Sequence, residues 1–203
     1  MRSKKRTAAL ALGIYAGILG TIHGVFQLAQ GSSEISGMLI QAIGAPCNPE
    51  QVWHACLPAL TFAETYRSSG ILAIAFSLYA LYIILFPNPR RPLAMFLPAV
   101  MMLLLGAGFV PAFLAALSGV AMALESRGKT SKNDSKGWRV VSYFWPAAPL
   151  LFVIWSTAAW VVGSVYNDVL LSLGFALFLV GDLLLPFLTL LSAVGADHSA
   201  LHG

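Results

Sequence analysis

One carboxylate, Asp182, stands in the apolar run FLVGDLLLPF at 178–187, with Gly181 beside it and Pro186 four residues on. A carboxyl group in hydrocarbon is costly unless it faces protein or water, so it marks a functional site by default. Pro186 has no N–H and leaves the carbonyl of Asp182 without its usual helical donor. A broken helix carrying a carboxyl group fits an ion or proton site. It fits an interhelical hydrogen bond of purely structural use equally well. His23 and Gln27 form a second polar pair, i and i+4, within ILGTIHGVFQLAQG at 18–31. An intramembrane histidine serves as an interhelical hydrogen-bonding group, a proton relay or a ligand contact. Haem or metal ligation is the weaker reading, because no second histidine lies in an apolar run.

Cys47 and Cys56 are the only cysteines. On an oxidising side of the membrane they favour a disulfide. A straight helix over 49–56 would hold their Cα atoms more than about 10 Å apart, beyond the ~7 Å that a disulfide bridges. The helix suggested by Asn48 as N-cap and Pro49 at its first position must therefore end near Trp53. The pair is not C-x-x-C, which argues against a catalytic dithiol. His54 near Cys56 is a weak metal candidate, as are His198 and His202, four apart after Asp197. A disordered tail is the simpler expectation for the last two. No G-x-S-x-G, H-E-x-x-H, Walker or Rossmann pattern is present, so no catalytic residue, cofactor or metal site is assigned.

The elements that position these residues follow from composition. Of 203 residues, 58% are hydrophobic and 10% charged, against roughly 25% charged in a soluble domain. The bilayer must be the solvent. The net charge of +4 lies in short basic clusters beside apolar runs, which is the pattern of membrane flanks rather than of a nucleic-acid face. Arg2, Lys4, Lys5 and Arg6 precede an apolar run too long for a signal-peptide core, and it is read as a retained first helix.

The expected fold is all-α, one polytopic transmembrane helix bundle over 1–203. Six spans are expected at about 7–30, 62–86, 92–107, 110–125, 145–166 and 169–194, with an outer loop at 31–61. The third and fourth form a short tight hairpin around LLLGAGFVPAF at 103–113, where Gly106, Gly108 and Pro111 break the helix. The alternative is five spans with one long, kinked third helix. Charge separates the two. Six spans with cytoplasmic N- and C-termini put eleven of the twelve basic residues inside and only Arg67 outside; five spans split them six and six. Lys and Arg favour cytoplasmic loops, so six spans are expected. In that arrangement His23 lies within about 6–8 Å of the outer surface and Asp182 roughly 20 Å below it, too far apart to bond directly. Trp138, Tyr143 and Trp145, with Trp160 and Tyr166 about one membrane thickness later, read as aromatic belts. The polar segment 125–139 reads as a solvated connection.

Gly13, Gly17, Gly20 and Gly24 are spaced four, three and four apart and share one face of the first helix. That is a small-residue packing face for a close helix neighbour, in this chain or another. In the outer loop Ile35, Met38, Leu39, Ala42 and Ile43 recur at helical spacing and predict a short amphipathic helix ending at Gly44. Thr61 and Glu64 are read as a capping box opening the second span.

The segments GIYAGILGTIHGVFQLAQG, CLPALTF and LLLGAGFVPAF resemble a group of small multi-pass prokaryotic membrane proteins of unknown function. The resemblance covers about the first 120 residues. It supports the hairpin reading and brings no activity; a prokaryotic inner membrane is the expected location. Three functions are weighed. The first is a non-enzymatic protein that packs in the lipid bilayer with itself as a homo-oligomer or with a membrane partner, without nucleic acid. The second is a small proton- or cation-coupled transporter or channel using Asp182. The third is a membrane redox protein using Cys47 and Cys56.

Overall fold

The structure is a computed structural model that describes residues 3–43, 57–86, 92–127, 136–166, 168, 172 and 176–199. Within them the chain is helical apart from two short strands. Helix α1 covers Lys4–Ala29, strands β1 and β2 cover Leu39–Gln41 and Pro58–Leu60, and α2 covers Tyr66–Leu85. A 3-10 turn, Pro92–Met95, leads into α3, Phe96–Leu104. Helix α4 is Phe109–Ser126, α5 is Lys136–Ser142 and α6 is Ala147–Val165. A π-helical segment, Phe178–Leu184, runs into α7, Leu185–Ser199.

Four helices are long and apolar enough to cross a membrane: Lys4–Ala29, Tyr66–Leu85, Phe109–Ser126 and Leu179–Ser199. Leu93–Leu104 and Ala147–Ala159 are shorter and equally apolar in character. The outward surface matches: Ile71, Leu78, Tyr82, Leu150, Ile154 and Val161 are each more than half exposed. Contiguous apolar surface of this kind suits lipid rather than water.

α1 is the central helix. Its four glycines are buried, and each meets another helix of the same chain. A Cβ on Gly13 would lie 2.7 Å from Ser118 Oγ of α4 and 2.9 Å from Ile84 Cγ1 of α2. Gly17 faces Leu81 and Gly20 faces Ser77 and Met102. Gly24 meets Gly70 backbone to backbone: a Cβ on Gly24 would lie 2.7 Å from the Gly70 oxygen, and one on Gly70 would lie 2.6 Å from the Gly24 oxygen. The small face thus lets α2 and α4 approach α1 without intervening side chains. Ser118 adds a hydrogen bond, donating from Oγ to the Ala9 carbonyl at 2.8 Å.

At its N-terminus α1 ties together the ends of three other helices. Lys4 Nζ donates to the Ala196 carbonyl of α7 at 3.0 Å, Lys5 Nζ to Leu124 of α4 at 3.1 Å, and Arg6 Nη2 to Ile84 of α2 at 2.7 Å. Each cation satisfies a carbonyl at a helix C-terminus, where the helix dipole favours positive charge. In return both Asp197 carboxyl oxygens accept the backbone N–H groups of Lys4 and Lys5, at 2.9 and 3.0 Å. The basic cluster that the sequence assigns to membrane sidedness therefore also fastens one end of the bundle. α1 runs antiparallel to α2 and α4, since its other end carries the contacts of Gly24 with Gly70 and of His23 with Gly108.

Residues 105–108 turn the chain back on itself, with Gly106 and Gly108 at φ +93° and +92°. Past the turn, Gly119 of α4 lies against Met95 and Phe96 at the start of α3. The stretch is a helical hairpin, and the single long, kinked third helix of the five-span alternative does not form.

Three local expectations are corrected. The segment expected as an amphipathic helix over 35–43 instead contains β1, which pairs antiparallel with β2 in the register Leu39 with Leu60, Ile40 with Ala59 and Gln41 with Pro58. Its apolar residues satisfy strand alternation, with Ile40 buried between exposed Leu39 and Gln41, and Gly37 at φ +98° is a turn conformation that ends any helix. The capping box of α2 is Thr65 and Ser68, not Thr61 and Glu64. Thr61 is buried and accepts a hydrogen bond from Ser69 Oγ at 2.9 Å. The tail expected to be disordered is helical to Ser199, with His198 buried against Trp138, ring centroids 6.3 Å apart. Cys47, His54, Cys56 and His202, with the proposed disulfide, lie outside the described residues.

The two-stranded ribbon and the hairpin tip are joined. Gly106 N–H donates to the Leu60 carbonyl at 2.8 Å and Phe62 N–H to Leu104 at 3.2 Å. This end of the bundle is opposite the one fastened by Lys4, Lys5 and Arg6.

Candidate functional site

A cavity of about 370 Å³ lies among α1, α4, α6 and the π-helical segment, with Leu57 and the ribbon residue Pro58 also lining it. Its walls are mostly apolar: Leu19 from α1, Phe109, Val110, Pro111 and Leu114 from α4, Phe152 and Ala159 from α6. Its polar groups are few, namely Tyr15, His23, Ser156 and Asp182. A mostly apolar cavity with a handful of convergent polar groups is the form that small-molecule sites take, and this volume lies in their usual range of about 300–1,000 Å³.

The chain builds the acidic corner from three residues. Asp182 lies on the π-helical turn, where the Leu185 N–H reaches back five residues to the Val180 carbonyl. Pro186 cannot donate at all, so the backbone here departs from the α pattern. Gly181 is buried flat against the Trp155 indole, and any Cβ there would overlap the ring. That close seating brings Trp155 Nε1 to donate to Asp182 Oδ1 at 3.0 Å. The indole is a donor only, so it holds one carboxyl oxygen and leaves the other for a different donor. Tyr15 turns its hydroxyl toward Ser156 and Thr157 of α6, within electrostatic reach of the Asp182 carboxyl. Its ring stands edge-on to Phe152, centroids 5.6 Å apart and planes at 65°.

His23 lines the same cavity from α1. It is buried, 4% exposed, and its ring presses on Gly108, where only a glycine leaves room. The expectation from depth counting kept His23 and Asp182 at separate sites. The structure brings both to the wall of one cavity. Counting took residue 169 as the outer start of the last helix, whereas the observed reference is its other end, where Asp197 meets Lys4 and Lys5; from there Asp182 is fifteen residues up, roughly 22 Å, and His23 nineteen residues up, roughly 28 Å.

Gln27 lies one turn beyond His23 and outside the cavity. It is fully buried, and its Nε2 donates to the Gly106 carbonyl, which the turn leaves free of a helical donor. Its Oε1 has no hydrogen-bond partner among the described residues. Gln27 thus secures the hairpin tip. Trp155, Tyr15 and Ser156 were not singled out from sequence. The available signal was Gly181 next to Asp182, since a glycine beside a buried carboxyl group makes room for a large donor from a neighbouring helix.

The glycine face of α1, expected to seat a close helix neighbour of this chain or another, is occupied by α2 and α4 of this chain. Among the described residues no group of three or more His, Cys, Asp or Glu side chains is placed to hold a metal ion. Compared with protein-family models, curated proteins and solved structures, the chain matches none of them.

Proposed function

We propose that this chain is a non-enzymatic integral membrane protein of a prokaryotic inner membrane that holds a small molecule in its intramembrane cavity. The observation that carries the reading is the cavity itself, apolar over most of its wall, with Asp182 and His23 facing it from different helices. The proposed topology has six spans: α1, α2, the two arms of the hairpin, α6, and the π-helical segment with α7. Both termini are cytoplasmic. Two features support it. The N-terminus of α1 is hydrogen-bonded to the last turns of α7, and the charge rule puts eleven of twelve basic residues on that side. The cavity then opens toward the outer face, beneath the ribbon.

Coupled transport through Asp182 is the second reading, favoured by the carboxyl group on a π-helical turn. Through-passage needs an exit at the inner end, where Lys4, Lys5, Arg6 and Asp197 fasten four helices. Binding is therefore the simpler function for this conformation.

The test is a thermal-shift comparison of the parent and Ala159→Phe against water-soluble amphipathic compounds. Ala159 is 5% exposed and lines the cavity, so a phenyl ring there takes up part of it and blocks a ligand seated against that wall. A ligand at 100 times its Kd stabilises the folded state by about 2.7 kcal/mol. At least one compound is expected to raise the Tm of the parent and not of the obstructed variant. A library with no compound that distinguishes the two would contradict the reading.

A further inference from the structure

The chemistry of the cavity wall narrows the occupant. Among the described residues that line it, Asp182 is the one carboxylate, and none is a lysine or arginine. Trp155 occupies Oδ1 through a neutral N–H, which orients the carboxyl group without cancelling its charge. The facing surface is aromatic, with Tyr15 and Phe152 edge to face and Phe109 at the α4 end. Ring faces and edges around a single carboxylate form a surface that attracts a cation and shelters an apolar body.

We propose, resting on the ligand-binding reading above, that the cavity takes a small organic amine: one protonated nitrogen against the second oxygen of Asp182, and an apolar or aromatic body against Tyr15, Phe152 and Leu114. The ammonium supplies the N–H donor that the free oxygen lacks, and the ion pair forms in a site with little water, where charge-assisted hydrogen bonds are strongest. A carboxylate ligand would meet Asp182 as a like charge. A neutral alcohol would gain the hydrogen bond and lose the charge term. His23, which lines the same cavity from α1, is a second polar group within the site.

The experiment uses three probes with one body: 3-phenylpropylamine, 3-phenylpropanol and 3-phenylpropanoate. Saturable binding of each is measured to the full chain in lipid nanodiscs, with Ala159→Phe subtracting partition into lipid. The expected order in the parent is amine, then alcohol, then carboxylate, with the amine roughly tenfold or more tighter than the alcohol. In Asp182→Asn the amine-to-alcohol ratio is expected to fall to about one. Alcohol or carboxylate binding as tightly as amine in the parent would overturn the amine assignment and leave the ligand cavity standing. A ratio that survives in Asp182→Asn would overturn the role given to Asp182. Binding of none of the three in a manner that Ala159→Phe removes would overturn both the amine and the cavity reading. The order in the parent needs no variant, so a variant that fails to fold does not protect the proposal.

Discussion

Gly24→Ala is expected to destabilise the protein by about 2–3 kcal/mol, the upper part of the usual range for overpacking a tight interface. The reason is the nature of the neighbour. At Gly17 an added methyl group meets the Leu81 side chain at its Cγ branch carbon and both methyl groups, and a side chain can repack where a backbone cannot. At Gly24 it lies 2.7 Å from the Gly70 carbonyl oxygen, 2.6 Å from Ile74 Cγ1 and 3.0 Å from Ile74 N. Backbone atoms cannot move without separating α1 from α2. Gly70→Ala strikes the same contact from the other side, 2.6 Å from the Gly24 oxygen and 2.9 Å from Leu28 N, and is expected to cost a similar amount. Val25→Ala is the control: it is one residue away and 52% exposed, and should change stability little. Denaturant unfolding of the three variants in detergent micelles checks this. Equal stability of Gly24→Ala and Val25→Ala would mean that α1 and α2 are not in backbone contact. The effect belongs to the single chain, so it should not vary with protein concentration.

Gly108→Ala is expected to have the second large effect, on both stability and the cavity. Gly108 sits at φ +92° and ψ 163°, a region essentially confined to glycine, and forcing another residue there costs about 1–3 kcal/mol. The new methyl group would also overlap the His23 ring, and displacing a buried ring adds roughly 1–3 kcal/mol. His23 would move toward the cavity or out of its wall, so ligand binding should be lost with stability. The parent's thermal-shift ligands provide the assay. A Gly108→Ala protein that unfolds at the parent's Tm and still responds to those ligands would contradict the hairpin geometry.

The parts of this fold that periodicity governs were legible in the sequence. The apolar runs, the broken helix at Gly106 and Gly108, and the common face of Gly13, Gly17, Gly20 and Gly24 all follow from spacing along one helix. Which helix covers that face does not. Nothing local to 13–24 names Ser77, Leu81 or Gly70, because interhelical pairing is non-local. The ribbon escaped for two reasons. The apolar residues over 35–43 satisfy helix and strand spacing alike, and the partner of β1 starts 17 residues after its end, beyond the two cysteines. The fastening at the N-terminal end of α1 escaped because Lys4, Lys5 and Arg6 have an adequate sidedness explanation from sequence. Only the fold brings three helix C-termini within their reach.

The candidate site divides in the same way. Asp182 and His23 stood out because polar groups in apolar runs are costly. Their convergence on one cavity depends on where the last helix sits against α1, which Asp197 fixes by bonding to Lys4 and Lys5 and which counting from an assumed start at 169 does not reproduce. Trp155 was hidden because tryptophan is common in membrane helices for other reasons. Its role comes from a donor aimed at a carboxyl group across Gly181.

The most direct test of the account is the accessibility of Ser156 from the outer face. Ser156 is 8% exposed and lines the cavity, so in a background of Cys47→Ser and Cys56→Ser the variant Ser156→Cys places one thiol inside it. A small, membrane-impermeant thiol reagent is added to intact cells and, separately, to inside-out vesicles. Labelling is expected from the outside, not from the cytoplasmic side, and should fall sharply once Ala159→Phe obstructs the cavity one turn from the thiol. Labelling only from the cytoplasmic side, or outside labelling that Ala159→Phe leaves unchanged, would contradict an outward-opening cavity and with it the proposed function.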